Sequence, residues 1–334
     1  MRARKLQVDF WDVGYGDATV VWLTDRRLII VDCGPSNSRL PKWIEKHGFD
    51  VDLVILTHND ADHFEGFLSL MRIHGLHVKA YAWVQDRSAE DLRRVWKELK
   101  DGHDRLHWPE PILIAPRAGK SYDLLAAAEI PKHRFSDSLK IEALYPSHLD
   151  NLAGQAKGPN WAGALIVLTL GGVPLVAWPG DLPLATCRDV LTGFNIKPIF
   201  LVGPHHGGPI DLARLTEDQV NNFVHEIGHC EAWISVAWNR KYQHPRPEYL
   251  RPISQRGITL RCSQITPRCD PDLHLWEEGI IPTHDWLGLE PPPSGPSCMG
   301  AMRVLFSADE YQVQFALVHA EARSKLQHPL CLSV

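Results

Sequence analysis

The chain has no apolar run long enough to cross a bilayer, which argues against a transmembrane helix. It also has no excess of positive charge: 35 Lys and Arg stand against 40 Asp and Glu, a formal net charge of -5. That balance excludes a global attraction to nucleic acid or to an anionic membrane; a polyanion would need a local basic patch or a bound metal. The opening MRARKLQVDFWDVG is basic but leads into no apolar segment or small-residue cleavage site, so no signal peptide is read. Internal repeats are missing too. The seven cysteines are an odd count, with Cys33, Cys187 and Cys230 scattered, which fits reduced thiols in a cytoplasmic protein rather than a disulfide framework.

What is present is core-forming. The 334 residues are 44% apolar, enough for one large domain or two modest ones. The twelve tryptophans are read mainly as core and rim packing. KLQVDFWDV, ATVVWLT and RLIIVDCG read as strands separated by turns, an antiparallel start, and VDLVIL as a buried strand. LPKWIEKHG spaces Leu40, Trp43 and Ile44 along one helical face and ends at Gly48. SAEDLRRVWKELKDG predicts a helix capped by Ser88 and stopped by Gly102. LKIEALYP, ALIVLTLGG, VPLVAWPGD, IKPIFLVGP, CEAWISVAWN and ITLRCSQI supply further strands, LATCRDVLTGF a helix, and AMRVLFS with YQVQFALV a hairpin. Seven prolines between Thr266 and Met299 break every period. The expected organisation is a core over 1–265, a Pro-rich insertion over 266–299, and strands over 300–334 that complete the core.

The chemistry concentrates in THNDADHFEG, residues 57–66, where His58, Asp60, Asp62 and His63 follow directly on the apolar run. Imidazole and carboxylate together suit borderline divalent metals. Four such groups in six residues cannot share one ion comfortably, but they can serve two: His58 with Asp60, and Asp62 with His63. A two-metal site lowers the pKa of a water and clamps a phosphoryl oxygen. A plain polar turn is the other reading of these six residues. Other strand ends weigh against it: WPGD closes on Asp181, VGPHHGG on His205 and His206, and WNRKYQHP carries Asn239 and His244.

Taken in order, DVGYGDATVV (12–21), IIVDCG (29–34), LTHNDADHFEG (56–66), PGD (179–181), PHHGG (204–208) and NRKYQHP (239–245) resemble the metallo-β-lactamase superfamily. The narrower resemblance is to the metallo-β-lactamase-like domain of DNA-uptake competence channel proteins and their free-standing soluble relatives. It implies an α/β (α+β) fold, the four-layer αβ/βα sandwich. It implies metal ligation by His58, Asp60, Asp62, His63, Asp181 and His205, with Asp181 bridging and His206 beside the substrate. His244, with Asp62 the other catalytic candidate, would stand near a scissile phosphate. Asp17 and Asp32 match turn-closing and ligand-orienting positions. The third superfamily motif normally brings another histidine; the corresponding GPNWAGALIV has Asn160, so the first metal position is expected to be ligand-poor.

The expected cofactor is one or two divalent ions, Zn²⁺ or Mn²⁺. The expected activity is phosphodiester hydrolysis, with DNA the substrate that the resemblance favours and Asn160, Asn239, Lys241 and Arg246 near it. A small-molecule metallo-hydrolase acting on a nucleotide, lactone or thioester is the alternative on the same fold, and a catalytically silent scaffold is another. Free-standing relatives look like parts of bacterial defence systems, so a latent nuclease awaiting a regulatory protein or a protease is a further expectation. Cys262, Cys269, Cys298 and His274 are read as free thiols and a stray histidine in preference to a structural zinc site.

Overall fold

A computed structural model describes residues 5–84, 90–131, 135, 138–147, 150, 159–209, 215–228, 230–235, 244–264, 266, 301–307 and 310–315, excepting the side chains of 90–96, 105, 159, 160 and 315. The strands are β1 (Leu6–Phe10), β2 (Ala18–Trp22), β3 (Arg27–Cys33), β4 (Asp50–Leu56), β5 (Val78–Trp83), β6 (Ile112–Leu113), β7 (Tyr122–Asp123), β8 (Leu139–Tyr145), β9 (Leu165–Leu170), β10 (Val173–Trp178), β11 (Phe200–Val202), β12 (Glu231–Ile234), β13 (Leu260–Cys262), β14 (Met302–Phe306) and β15 (Tyr311–Phe315). They form two sheets, ordered β15-β14-β1-β2-β3-β4-β5-β6 and β13-β12-β11-β10-β9-β8-β7. Each sheet is antiparallel over one half and parallel over the other: β3 to β6 in the first, β10 to β13 in the second.

The apolar runs explain the layering. In β3, Ile29 and Val31 face the second sheet, while Leu28 and Ile30 face helices on the outside. A strand covered on both faces needs an unbroken apolar run rather than an alternating one. Phe10, Phe200, Trp233 and Phe306 fill the space between the sheets. Outside the first sheet lie α1 (Leu40–His47), α2 (Ala61–Met71) and α3 (Glu90–Leu106); outside the second lie α5 (Leu184–Gly193), α6 (Glu217–Ile227) and α7 (Pro247–Gln255). A short α4 (Leu124–Ala127) follows β7. The architecture is therefore the expected four-layer αβ/βα sandwich.

Several elements differ from expectation. α3 runs through Gly102 to Leu106. The glycine does not stop the helix; a Cβ there would lie 2.1 Å from the Trp108 ring, so the position is bare to let the indole pack. Ser88 lies outside the described residues. α2 occupies what reads as a ligand loop, burying Phe64, Phe67 and Leu68 at helical spacing. α6 opens on a capping box formed by Thr216 and Gln219. α7 starts with Pro247 in its first turn, where a missing N–H costs nothing.

β14 pairs with β1 and β15 with β14, so strands from opposite ends of the described chain are neighbours. Among the described residues no helix is long and apolar enough to cross a membrane. Cys33, Cys187, Cys230 and Cys262 are free thiols. Cys269, His274 and Cys298, like residues 267–300 generally, lie outside the described residues.

Candidate metal centre

The carboxyl ends of the parallel strands in both sheets meet at one edge. Asp32 comes from the end of β3, Thr57 and His58 follow β4, and Asp62 and His63 sit in the first turn of α2. From the second sheet, Asp181 follows β10, His205 and His206 follow β11, and Ser235 follows β12. Rigid strands thus aim short polar loops at one point.

Hydrogen bonds on the outer ring nitrogens orient the imidazoles. Asp32 Oδ1 accepts the Thr57 N–H at 2.8 Å, and its Oδ2 accepts the Thr57 hydroxyl at 2.7 Å. The same Oδ2 lies 2.8 Å from His63 Nδ1. Thr57 gives its only hydroxyl proton to Asp32, so at 3.0 Å from His58 Nδ1 it must accept from that nitrogen. His206 Nδ1 donates to the Ser235 carbonyl at 2.9 Å, and the Ser235 hydroxyl donates to the Gly16 carbonyl. All three Nε2 atoms are thereby left as the ends that could ligate a metal.

Those ends converge. His58 Nε2 is 3.5 Å from Asp181 Oδ2, and His63 Nε2 is 3.4 Å from Asp181 Oδ1. His206 Nε2 lies 3.3 Å from Asp62 Oδ2 and 3.4 Å from His63 Nε2. His205 Nε2 is 3.6 Å from Asp181 Oδ2. Two groups of side chains, His58–His63–Asp181 and Asp62–His63–His206, each offer three ligand atoms within 4.8 Å of one another. Asp17, Asp32 and His63 form a third such group behind them.

The fit to a divalent cation is good. His58 Nε2, Asp62 Oδ2 and Asp181 Oδ1 are buried without a hydrogen-bond partner, a costly state for polar atoms unless an ion takes them up. Mixed imidazole and carboxylate donors match borderline metals. The charges agree. Burial alone would raise the Asp181 carboxyl, but His58, His205, His63 and His206 hold it well below the usual range. Burial likewise opposes charge on His63, yet Asp32, Asp62 and Asp181 push its pKa well up. His206 is raised to about 9 in the same way, against burial, by Asp17, Asp181 and Asp62. Carboxylates packed this closely demand positive charge, which a divalent cation supplies.

The pairing differs from the one the spacing suggests. His63 belongs to both groups, because the first turn of α2 swings it between Asp62 and Asp181. Asp60, the N-cap residue of α2, stays at the rim with its side chain 38% exposed and Oδ2 3.8 Å from His58 Nε2. His206 is as ligand-competent as His205, and it is the more deeply placed of the two. Asp32, His205 and His206 all hold left-handed backbone, with φ of 54, 47 and 52. That strain costs of order 1 kcal/mol per residue and is sustained by the surrounding bonds.

His244 is brought to the same edge, its ring centroid 5.3 Å from that of His205. Burial, followed by the charges of His205, His206 and Arg246, lowers its pKa to about 3, so its imidazole is neutral at pH 7. Asn239, Lys241 and the Asn160 side chain lie outside the described residues; the backbone just beyond Asn160 reaches the site, with Ala164 N donating to the Thr57 carbonyl at 2.6 Å. Thr57 and Ser235 are the residues that sequence reading passes over. Neither carries a ligand atom, and their contacts form only in the fold.

Residues 11–117 match the family model of the metallo-beta-lactamase superfamily. The chain is similar in structure to human tRNase Z, short form, at 14% identity over 68% of this chain and 90% of that one, with a TM-score of 0.43. It is also similar to Igni18, a novel metallo hydrolase from the hyperthermophilic archaeon Ignicoccus hospitalis KIN4/I, at 17% identity over 78% of this chain and 96% of that one, with a TM-score of 0.44. No curated protein sequence matches the chain. The family match over residues 11–117 and the sandwich make the chain similar to the metallo-beta-lactamase superfamily, whose members are metal-dependent hydrolases.

Proposed function

We propose that the protein is a metal-dependent phosphodiesterase, acting as a DNA nuclease. The observation that carries this reading is the double ligand group sharing His63, with Asp62 and Asp181 each presenting a buried, unpartnered oxygen. His58, Asp62, His63, Asp181, His205 and His206, with Asp60 at the rim, would hold one or two divalent ions, Zn²⁺ or Mn²⁺. Bound there, such ions supply a lowered water pKa and neutralisation of phosphoryl oxygens. The carboxylate-rich set, with Asp60 where superfamily members often carry histidine, favours phosphoester over β-lactam chemistry.

The chain's own residues do the rest. The neutral His244 imidazole beside His205 would hydrogen-bond to the reacting oxygens as they gain charge. Arg246, whose Nε is buried without a hydrogen-bond partner, adds positive charge next to it. Asn160, Asn239 and Lys241 complete the substrate contacts in this reading. The enzyme would be a latent effector of a bacterial defence system, released by a regulatory protein or a protease acting at the Pro-rich stretch 266–299.

The test pairs metal content by mass spectrometry with plasmid cleavage, for the wild type and for Asp62→Ala and His63→Ala. Bound metal and cleavage, both lost in the variants, support the reading. Metal without cleavage of DNA or of bis(p-nitrophenyl) phosphate would overturn it in favour of another hydrolase.

A further inference from the structure

Beside the ligand cluster lies a cavity of about 250 Å³ that the hydrolytic residues leave unused. Leu184 and Arg188 of α5 and Gln219, Asn222 and Phe223 of α6 line it, with Trp161 and His205. His205 is common to both sites: it lines the cavity, and its Nε2 is 3.6 Å from Asp181. An occupant would therefore sit next to whatever group the ligand cluster holds.

We infer that this cavity is a nucleobase subsite, seating the base of the nucleotide on one side of the scissile phosphate; the inference rests on the phosphodiesterase reading. The volume falls below the ~300–1,000 Å³ of pockets that take a whole drug-sized ligand, so it suits one flat ring system rather than a stretch of strand. The walls are mostly apolar, with an indole and a phenyl ring among them, which fits a base and would desolvate a sugar-phosphate at a loss. The polar groups are few and of the right kind. Asn222 is exposed on α6 and offers both a donor and an acceptor. Gln219 spends its Oε1 on the Thr216 N–H at 3.0 Å, which leaves its amide hydrogens for an acceptor. Arg188, held by Asp189 at 2.7 Å, presents the rest of its guanidinium. An acyl chain would have no use for three such groups.

The test uses the full chain, stripped with EDTA, and adenosine, guanosine, cytidine and thymidine 5′-monophosphates as probes, with ribose 5-phosphate as the control. Binding is read by saturation-transfer NMR, which separates base protons from sugar protons. The expected result is saturable binding of at least one nucleotide, strongest transfer to the base, and no binding of ribose 5-phosphate. Trp161→Ala and, on the exposed face of α6, Asn222→Trp should each weaken it about tenfold or more. No saturation, equal binding of ribose 5-phosphate, or unchanged binding in Asn222→Trp would overturn the subsite. Hydrolysis of bis(p-nitrophenyl) phosphate by the metal-loaded protein reports separately on the phosphodiesterase reading, because that ester has no base. Ester hydrolysis without nucleotide binding removes the subsite alone; nucleotide binding without ester hydrolysis keeps the subsite and removes the phosphodiesterase.

Discussion

Asp32 and His63 meet at 2.8 Å, Oδ2 to Nδ1, and the same carboxylate holds both the backbone and the hydroxyl of Thr57. One buried side chain therefore orients two imidazoles, His63 directly and His58 through Thr57. Asp32→Asn keeps a residue that tolerates the left-handed backbone but removes the charge. Metal affinity should fall roughly 10–100-fold, as for other outer partners of ligand histidines. Competition with a chromophoric chelator measures it, and an unchanged affinity would deny Asp32 this role.

Gly208 lies against His244 with no room for a side chain; a Cβ would stand 2.0 Å from the imidazole Cε1. Gly208→Ala must push the ring aside. A displacement of about 1 Å at a reacting group can cost on the order of 100-fold in rate. Plasmid cleavage should drop by that order while metal content, read by mass spectrometry, stays at the wild-type level.

Asp9 is fully buried on β1, and Arg303 of β14 grips it through Nε and Nη2, both at 2.7 Å. Trp22 Nε1 adds a third bond at 2.7 Å. Arg303→Ala removes the counter-ion of the buried carboxylate, leaving it only the neutral donors Trp22 and Gln7, and should destabilise the fold by about 3 kcal/mol. The midpoint of urea unfolding reports this. Asp9→Val combined with Arg303→Val should recover much of the loss, since no buried charge remains unpaired.

The raised pKa of His206 gives a signed pH dependence. Its folded value, about 9, exceeds the ordinary value near 6.5. Charged His206 thus adds stability to the metal-free protein that is fully present below about pH 6.5 and lost as pH rises through about 9. Metal must displace that proton, so affinity should keep climbing up to about pH 9 instead of levelling near neutrality. Melting of the EDTA-treated protein and metal titrations between pH 6 and 10 would show opposite trends; parallel trends would contradict the linkage.

Strands were readable because both faces of each sheet are covered, so Ile29–Val31 and Leu53–Leu56 stand out as unbroken apolar runs. The ligand-rich segments were readable because each follows such a run. α2 was not: its first turn is made of Asp62 and His63, and Gly66 interrupts the middle. α7 was masked by Pro247 and Pro252. α6 does carry a signal in the sequence, a capping box followed by Val220, Phe223, Val224 and Ile227. The sharing of His63 between two ligand groups depends on Asp181 from the other sheet, and the place of His206 on Ser235 at the end of the neighbouring strand β12. No local spacing encodes those.

The pairing of β1 with β14 has a consequence for synthesis. Phe10 finds its partner in Met302, so one flank of β1 stays open until nearly the whole described chain has left the ribosome. At about 5–20 residues per second, the delay for some 300 residues is roughly 15–60 s. Through that interval the nascent chain carries an unpaired strand edge, the kind of surface that recruits chaperones or a second nascent copy. The candidate metal ligands, drawn from residues 58 to 206, are all made well before the first sheet can be completed.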